Sequence, residues 1–460
     1  MNFFKLKQNK TKVSTELLAG LTTFMTMAYI ITVNPNILAA TGMDHGALFT
    51  ATVVASVVGT LMMALFANYP FAIAPGMGLN AFFAYVVAMQ FGWRIALMAV
   101  FIEGIFFIIL SLFNFRERIF DTVPKNIKYS ISVGIGLFIA FIGFQNGGLV
   151  VNHYVTGVTM GDTTYLPTVL FMVGLLLTMV LLVKKVKGAI FIGILSTYMI
   201  GLLCQLMGFY VVGVHGPSLI PSGLVSLPPS VADVSIVTVV HEVFDASSPY
   251  SFSALFLAQD NSLDWSAIFN FAAIIFALFF VDVFDTVGTL IGVSEKANFL
   301  DKNGKLPRAK QAFLADAVGS IVGAAVGTST TTTYIESATG VAEGGKTGLT
   351  AVFVAALFAV SLFFWPIFSV IPSFATAPAL VAVGLFMASL VTKIDFSDFA
   401  EGFPAFLTMI LMPFTFSIAD GILFGILSYV GIKVVMGKFK EISVTMYVMS
   451  IFFIVVLAVV

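Results

Sequence analysis

Apolar runs of span length recur from one end of the chain to the other, parted by short polar breaks. A helix needs about 20 such residues to cross about 30 Å of hydrocarbon, and on that measure the pattern predicts about fourteen crossings. Seven runs, at 15–38, 47–66, 71–89, 94–114, 129–148, 166–183 and 188–212, lead to a long polar loop. After it come 266–293, 311–327, 328–343, 349–371 and 375–391, then a stretch from 403 onward that Pro404, Pro413 and Asp420 interrupt. The first run comes after several lysines, as in a signal peptide, but it is too long for one and holds Asn34 and Pro35, so it reads as the first span. The expected organisation is an all-α polytopic membrane protein with a first half at 1–212, an external loop at 213–265 and a second half at 266–460.

Orientation is set by the basic residues, because Lys- and Arg-rich loops stay on the cytoplasmic side. With a cytoplasmic N-terminus, Lys5, Lys7, Lys10, Lys12, Arg116, Arg118, Lys125, Lys128, Lys184, Lys185 and Lys187 all fall inside. So do Lys296, Lys302, Lys305, Arg308, Lys310, Lys346 and Lys393, whereas Arg94 alone falls outside and 213–265 contains neither Lys nor Arg. Lys433, Lys438 and Lys440 join them only if an even number of crossings separates them from Lys393, which leaves 442–460 as a further span or an interfacial helix.

Composition narrows the classes further. Only 10% of the 460 residues are charged, against roughly 25% in soluble proteins. With 59% hydrophobic residues and a mean hydropathy of +1.05, a water-soluble globule is excluded. A net charge of −1 offers no basic surface to a nucleic acid. The single cysteine, Cys204, excludes an intrachain disulfide and a thiolate metal cluster. His45, His153, His215 and His241 fall in predicted external loops without ligand spacing, so they read as solvated residues and no metal or cofactor is expected.

Charges within spans cost about 2.5 to 3.5 kcal/mol each on insertion scales, so intramembrane carboxylates are the first place to look for function. In the eighth run, Asp282 and Asp285 stand three residues apart on one helical face, where both can meet one polar cavity; no Lys or Arg of that run is available to pair with them. The alternative is that they cap or pair within a packed bundle. The tenth run reads GTSTTTTYIES from Gly327 to Ser337, too polar and β-branched for a lipid-facing helix. It is expected to be a broken span, extended to about Thr333, with a short helix beginning near Tyr334 and Glu336 in its first turn. A Ser/Thr-rich helix in close packing is the plainer alternative.

The third run supplies a matching break. Pro75, Gly76 and Gly78 interrupt it and leave Asn80 in the first turn of its second piece. Interrupted spans in the third and tenth positions place a binding site at the interface of two halves, and seven spans per half makes the repeat inverted. Asn80 and Glu336 lie 256 positions apart, as do Tyr29 and Asp285, which supports the pairing.

The segments APGMGLNAFF, FVDVFDTVGTLIGV and TSTTTTYIESATG resemble the signature stretches of the AzgA-like branch of the nucleobase–cation symporter-2 family, the adenine, guanine and hypoxanthine permeases. The likeness runs from ELLAGLTTFMTMAYIITVNP to MILMPFTFSIADGILFG. It implies fourteen spans as a 7+7 inverted repeat, a core domain holding the two interrupted spans and a gate domain moving against it. It also implies purine uptake coupled to protons at the plasma membrane, often by a homodimer. Carried over residue by residue, Asn80, Asp285 and Glu336 match the family's purine-binding positions, and the two acids its proton-coupling ones. Uracil permeases carry a histidine one turn after the eighth-span acid where this chain has Thr289, so a histidine relay is not implied. Asp282 joins the proton-coupling candidates, and Glu343 is expected at the cytoplasmic end of its span.

A purine is flat, largely neutral and rich in donors and acceptors. Carboxylates can accept from its N–H edge, Asn80 can donate and accept, and backbone at Gly78 and Thr333 can complete the set. Phe82, Phe83, Phe279 and Phe284 are candidate stacking partners, although with 49 Phe in the chain each reads first as core or lipid contact. Acids removed from water without basic partners can hold an exchangeable proton. The rival is an anion carrier of the same architecture for bicarbonate or sulfate, which two carboxylates at the site would repel. No GxSxG elbow or HExxH motif points to an intramembrane enzyme.

Overall fold

The computed structural model describes residues 3–459 apart from 113–121, 246–247, 249–250, 252–253, 255, 258–262, 298, 300 and 302–305. Arg116, Arg118, Lys302 and Lys305 of the orientation argument, and the side chain of Phe284, lie outside the described part. Eleven helices among the described residues are long and apolar enough to cross a membrane. The first half comprises α1 (Val13–Thr41, bent at Ala28 and Tyr29), α2 (His45–Ala67), β1 (Ile73–Pro75) leading into α3 (Met77–Phe91), α4 (Trp93–Leu112), α5 (Lys125–Asn146), α6 (Leu166–Val183) and α7 (Ala189–Leu206). A β2–β3 hairpin (Val150–His153, Gly157–Met160) and α8 (Ile236–Phe244) decorate the loops. The second half comprises α9 (Trp265–Lys296), α10 (Ala309–Val326), β4 (Thr331–Thr333) with α11 (Ser337–Ala342), α12 (Gly348–Phe368), α13 (Ser373–Lys393), α14 (Phe399–Thr415) and α15 (Ile418–Val435). Two helices therefore separate Lys393 from Lys433, the even number that the lysines require. A last helix, α16 (Val444–Val459), lies along α9, with the Phe452 ring 4.7 Å from that of Phe276 and tilted 46° to it.

Both expected breaks are present, and they meet. β1 and β4 pair antiparallel with Ile73 opposite Thr333, Ala74 opposite Thr332 and Pro75 opposite Thr331. The ladder continues through Gly76 N–H to Thr330 C=O (3.0 Å) and Tyr334 N–H to Ala72 C=O (2.9 Å). Extended backbone at membrane depth must find protein partners, and each short strand supplies the other's. Two hydroxyls hold the outer edges. Thr60 Oγ1 on α2 accepts from Ile73 N–H (3.0 Å) and donates to Ile73 C=O (2.9 Å), while Ser320 Oγ on α10 accepts from Thr331 N–H and donates to Thr331 C=O, both 3.1 Å. The helices carrying them cross at glycine: a Cβ on Gly59 would sit 2.7 Å from Ile73 Cγ2 and 3.5 Å from Gly319 Cα.

The equivalent clamps grip Ile73 and Thr331, 258 positions apart, the same offset that relates Gly76 to Tyr334 and Ala72 to Thr330. The offset of 256 read from residue likeness therefore misses by two, and the counterpart of Glu336 is Gly78 rather than Asn80. Residue likeness carries no geometry, whereas hydrogen bonds fix the register.

The helix packing repeats the inverted pairing, although the clamping Thr60 and Ser320 are themselves 260 positions apart. α2 packs on α10 and α5 on α13; α2 on α12 answers α10 on α4, and α5 on α14 answers α13 on α6. The fold is the 7+7 inverted repeat, with a core of spans one to four and eight to eleven and a gate of five to seven and twelve to fourteen. His45, His153 and His215 are each only partly exposed rather than fully solvated, and His45 packs against another span. His45 is half-buried at the start of α2, its Nε2 2.7 Å from Asn36 Oδ1 and its ring 5.5 Å from Trp365, because the short turn before α2 tucks its first residue under α12.

Candidate functional site

The strand crossing gathers residues from α1, α9 and both broken spans. Asp285 on α9 and Glu336, the residue that opens α11, are both only partly buried, beside the buried Tyr29, Thr332, Thr333 and Tyr334. Tyr29, at the bend of α1, donates its hydroxyl to Glu336 Oε1 at 2.7 Å. Tyr334 donates to Pro75 C=O at 2.6 Å, and the two tyrosine rings lie 6.5 Å apart at 46°. Asp285 reaches Thr332 and stands within electrostatic range of Glu336 and Tyr334. Gly76 gives it that room, since a Cβ there would meet Thr332 Cγ2 at 2.8 Å and Asp285 Oδ2 at 3.6 Å. Two acids and two phenols thus meet at the strand crossing between the halves.

The other expected residues take different positions. Asn80 is fully buried: its amide donates to Pro75 C=O at 3.4 Å and accepts from Ser329 Oγ, tying one arm to the other. Facing a substrate would require it to exchange those bonds. Gly78 packs on Ile135 of α5, where a Cβ would come within 2.6 Å of Ile135 Cγ2. Thr333 is buried, and its hydroxyl has no hydrogen-bond partner among the described residues. Asp282 is fully buried, unlike Asp285. It is enclosed with Asp316 of α10 around Thr286, whose Oγ1 lies 3.0 Å from Asp282 Oδ1, 2.8 Å from Asp316 Oδ2 and 3.0 Å from Thr332 Oγ1. Phe82 and Phe279 are buried in the core and Phe83 with them, Phe279 edge-on to Phe107 at 5.1 Å.

Three buried acids escape the sequence reading although each lies in a run marked as a span. Asp316 closes the Thr286 network. Glu103 on α4 accepts from Thr330 Oγ1 at 3.2 Å. Glu16 on α1 accepts from the Lys346 and Thr347 N–H groups, both at 3.2 Å, and from the Thr347 and Thr350 hydroxyls, thereby capping α12. Asking of every run which acids it contains would find all three. Outside the spans, Thr164 and Ser397 hold the carboxyls of Asp162 and Asp395 below the usual range, each by a side-chain and a backbone hydrogen bond. These are loop turns remote from the crossing.

A family comparison decides the class of protein. The Permease family, of the xanthine/uracil type, matches residues 14–424. The chain belongs to this family of transporters. It is 43% identical to the guanine/hypoxanthine permease PbuO of Bacillus subtilis over 98% of each chain, and 38% identical to the adenine permease AdeP of Escherichia coli over 98% of this chain and 94% of that one. Among solved structures, the transmembrane domain of the cyanobacterial bicarbonate transporter BicA superposes with a TM-score of 0.62 at 15% identity, covering 88% of this chain and 97% of that one. SLC26A9 does so with 0.63 at 11%, covering 94% of this chain and 67% of that one. At such identities these two establish the shared fold alone. The resemblance carried by the three motifs is thereby met at the level of the family, and this nucleobase permease has the expected architecture.

Proposed function

We propose that the permease imports purine nucleobases, guanine and hypoxanthine foremost and adenine as a further substrate, across the plasma membrane by proton symport with alternating access. The observation that carries this reading is the pair of half-open carboxylates, Asp285 and Glu336, beside two phenols at the strand crossing. Carboxylates accept from the N–H groups of a purine edge, and Tyr29 holds Glu336 in one orientation while it does so. Backbone at Thr333 and Gly78 and the Asn80 amide complete the candidate binding set, with Asp285, Glu336 and Asp282 as candidate proton carriers. The Thr286 and Thr332 hydroxyls form a continuous polar link from Asp282 and Asp316 to Asp285, a route that suits a proton passing between them. The halves are read as 1–212 and 266–460 joined by an external loop at 213–265, with the N-terminus cytoplasmic and a homodimer as the assembly.

An anion such as bicarbonate or sulfate is the alternative cargo for this architecture, but two acids at the crossing oppose it. Uptake of labelled hypoxanthine into proteoliposomes, with adenine, guanine, xanthine, uracil and sulfate as competitors, tests the choice. Purines are expected to compete and sulfate not. Accumulation should vanish when the pH gradient is collapsed; accumulation that survives the collapse removes the symport.

A further inference from the structure

Two turns of the gate touch the two short helices of the core, one on each face of the molecule. On the lysine-rich face, the turn between α6 and α7 carries Lys187, whose Nζ pairs with Glu343, the residue that closes α11. Beside it, Gly188 lies against the carbonyl of Met25 on α1. The turn between α14 and α15 lies on the opposite face, one helix length from Lys393, and carries Phe416. Its ring meets Tyr85 of α3 edge-on at 6.3 Å and Phe138 and Phe141 of α5 at 5.3 and 5.6 Å. The Tyr85 hydroxyl also reaches Asn146 at the end of α5.

Tyr85 and Glu343 lie 258 positions apart, the offset that relates the two arms of the crossing. The residues occupy equivalent places, and equivalent turns of the gate hold them. We infer that Lys187–Glu343 and Phe416–Tyr85 are the two latches of the transport cycle, one ionic and one aromatic, and that opening toward either side of the membrane breaks one of them.

The placement explains how such a latch reaches the site. α11 begins after Glu336 and ends before Glu343, so the latch and the candidate substrate carboxylate occupy the two ends of one short helix. That helix is held to α1 by Thr26 and Thr339 (3.0 Å) and by Tyr29 and Glu336 (2.7 Å). On the other arm, α3 continues directly from Gly76, beside Asp285. A gate that releases Lys187 frees the end of the element bearing Glu336; one that releases Phe416 frees the element leading from Asp285. The two latches differ in chemistry. Lys187 is 58% exposed, so its ion pair is screened by salt, whereas the aromatic contact is not.

This inference rests on the alternating-access reading, yet its test needs no substrate. Hydrogen exchange monitored by mass spectrometry on the full chain in nanodiscs is the measurement. Lys187→Ala is expected to speed exchange across 184–190 and 337–347 by about two- to fivefold, leaving 83–91 and 413–418 unchanged. Phe416→Ala, with Phe416→Leu as a milder variant, should do the reverse. Raised salt should reproduce the first pattern alone, and the charge exchange Lys187→Glu with Glu343→Lys should restore protection. Loosening of both faces by either variant, or of neither face, overturns the latches. If exchange shows the expected pattern while hypoxanthine uptake is absent, the latches stand and the substrate assignment fails.

Discussion

The two arms of the crossing share a backbone and differ in almost everything else. The third-span arm, from Phe71 to Gly78, offers proline, glycine and alanine, and contributes carbonyls and close approach. The tenth-span arm, from Thr328 to Ser337, offers a run of hydroxyls and carries Glu336 near its end. An inverted repeat therefore does not imply a symmetric site: the geometry is duplicated, while the chemistry is divided between an arm that makes room and an arm that carries polar groups.

The strongest way to break that division is to neutralise the acidic side. Glu336→Gln and Asp285→Asn are each expected to abolish purine uptake while the protein still accumulates in the membrane, measured by uptake against immunoblot. Wild-type transport by Glu336→Gln would return the arms to equal status, and by Asp285→Asn would remove α9 from the site. The next effect concerns the clamps. Thr60→Val and Ser320→Ala each leave a backbone N–H and C=O of the facing strand without a hydroxyl, which costs about 1–3 kcal/mol per unsatisfied group. Thermal unfolding of the purified protein should show comparable losses for the two, as equivalent positions require; a loss confined to one of them would show that the arms are not held alike. The smallest effect belongs to Tyr29→Phe, which removes one hydrogen bond to Glu336, worth about 1.5–3 kcal/mol if the carboxylate is charged. It is expected to raise KM for hypoxanthine with little change in unfolding temperature. An unchanged KM would mean that Tyr29 serves packing alone.

The legibility of these features depends on how local each one is. Breaks in the third and tenth spans are readable because Pro75, Gly76 and the threonine run disfavour a helix whatever surrounds them. The short helix begins at Ser337 with Glu336 as its cap, rather than near Tyr334 with Glu336 inside its first turn. Asn80 is legible as a polar residue after a break but not as a strut between arms, because Ser329 comes from 249 positions away. His45 reads as solvated for a similar reason: its partner Trp365 comes from α12. Asp316, Glu103 and Glu16 stand in runs marked as spans. Their burial becomes visible only once Thr286, Thr330 and the Thr347 turn are set against them.

The sequence by itself determined that this chain is a membrane protein, that its basic residues cluster in alternate loops, that two spans are broken and which family it resembles. These properties depend on hydrophobic length, on charge and on intrinsic backbone preference, each a sum over neighbouring residues. Tertiary structure alone decided the strand register and with it the offset of 258, the enclosure of Asp282 apart from Asp285, and the pairing of each gate turn with a core helix. Those outcomes depend on contacts between residues far apart in the chain, where a displacement of two positions changes every partner and leaves composition untouched.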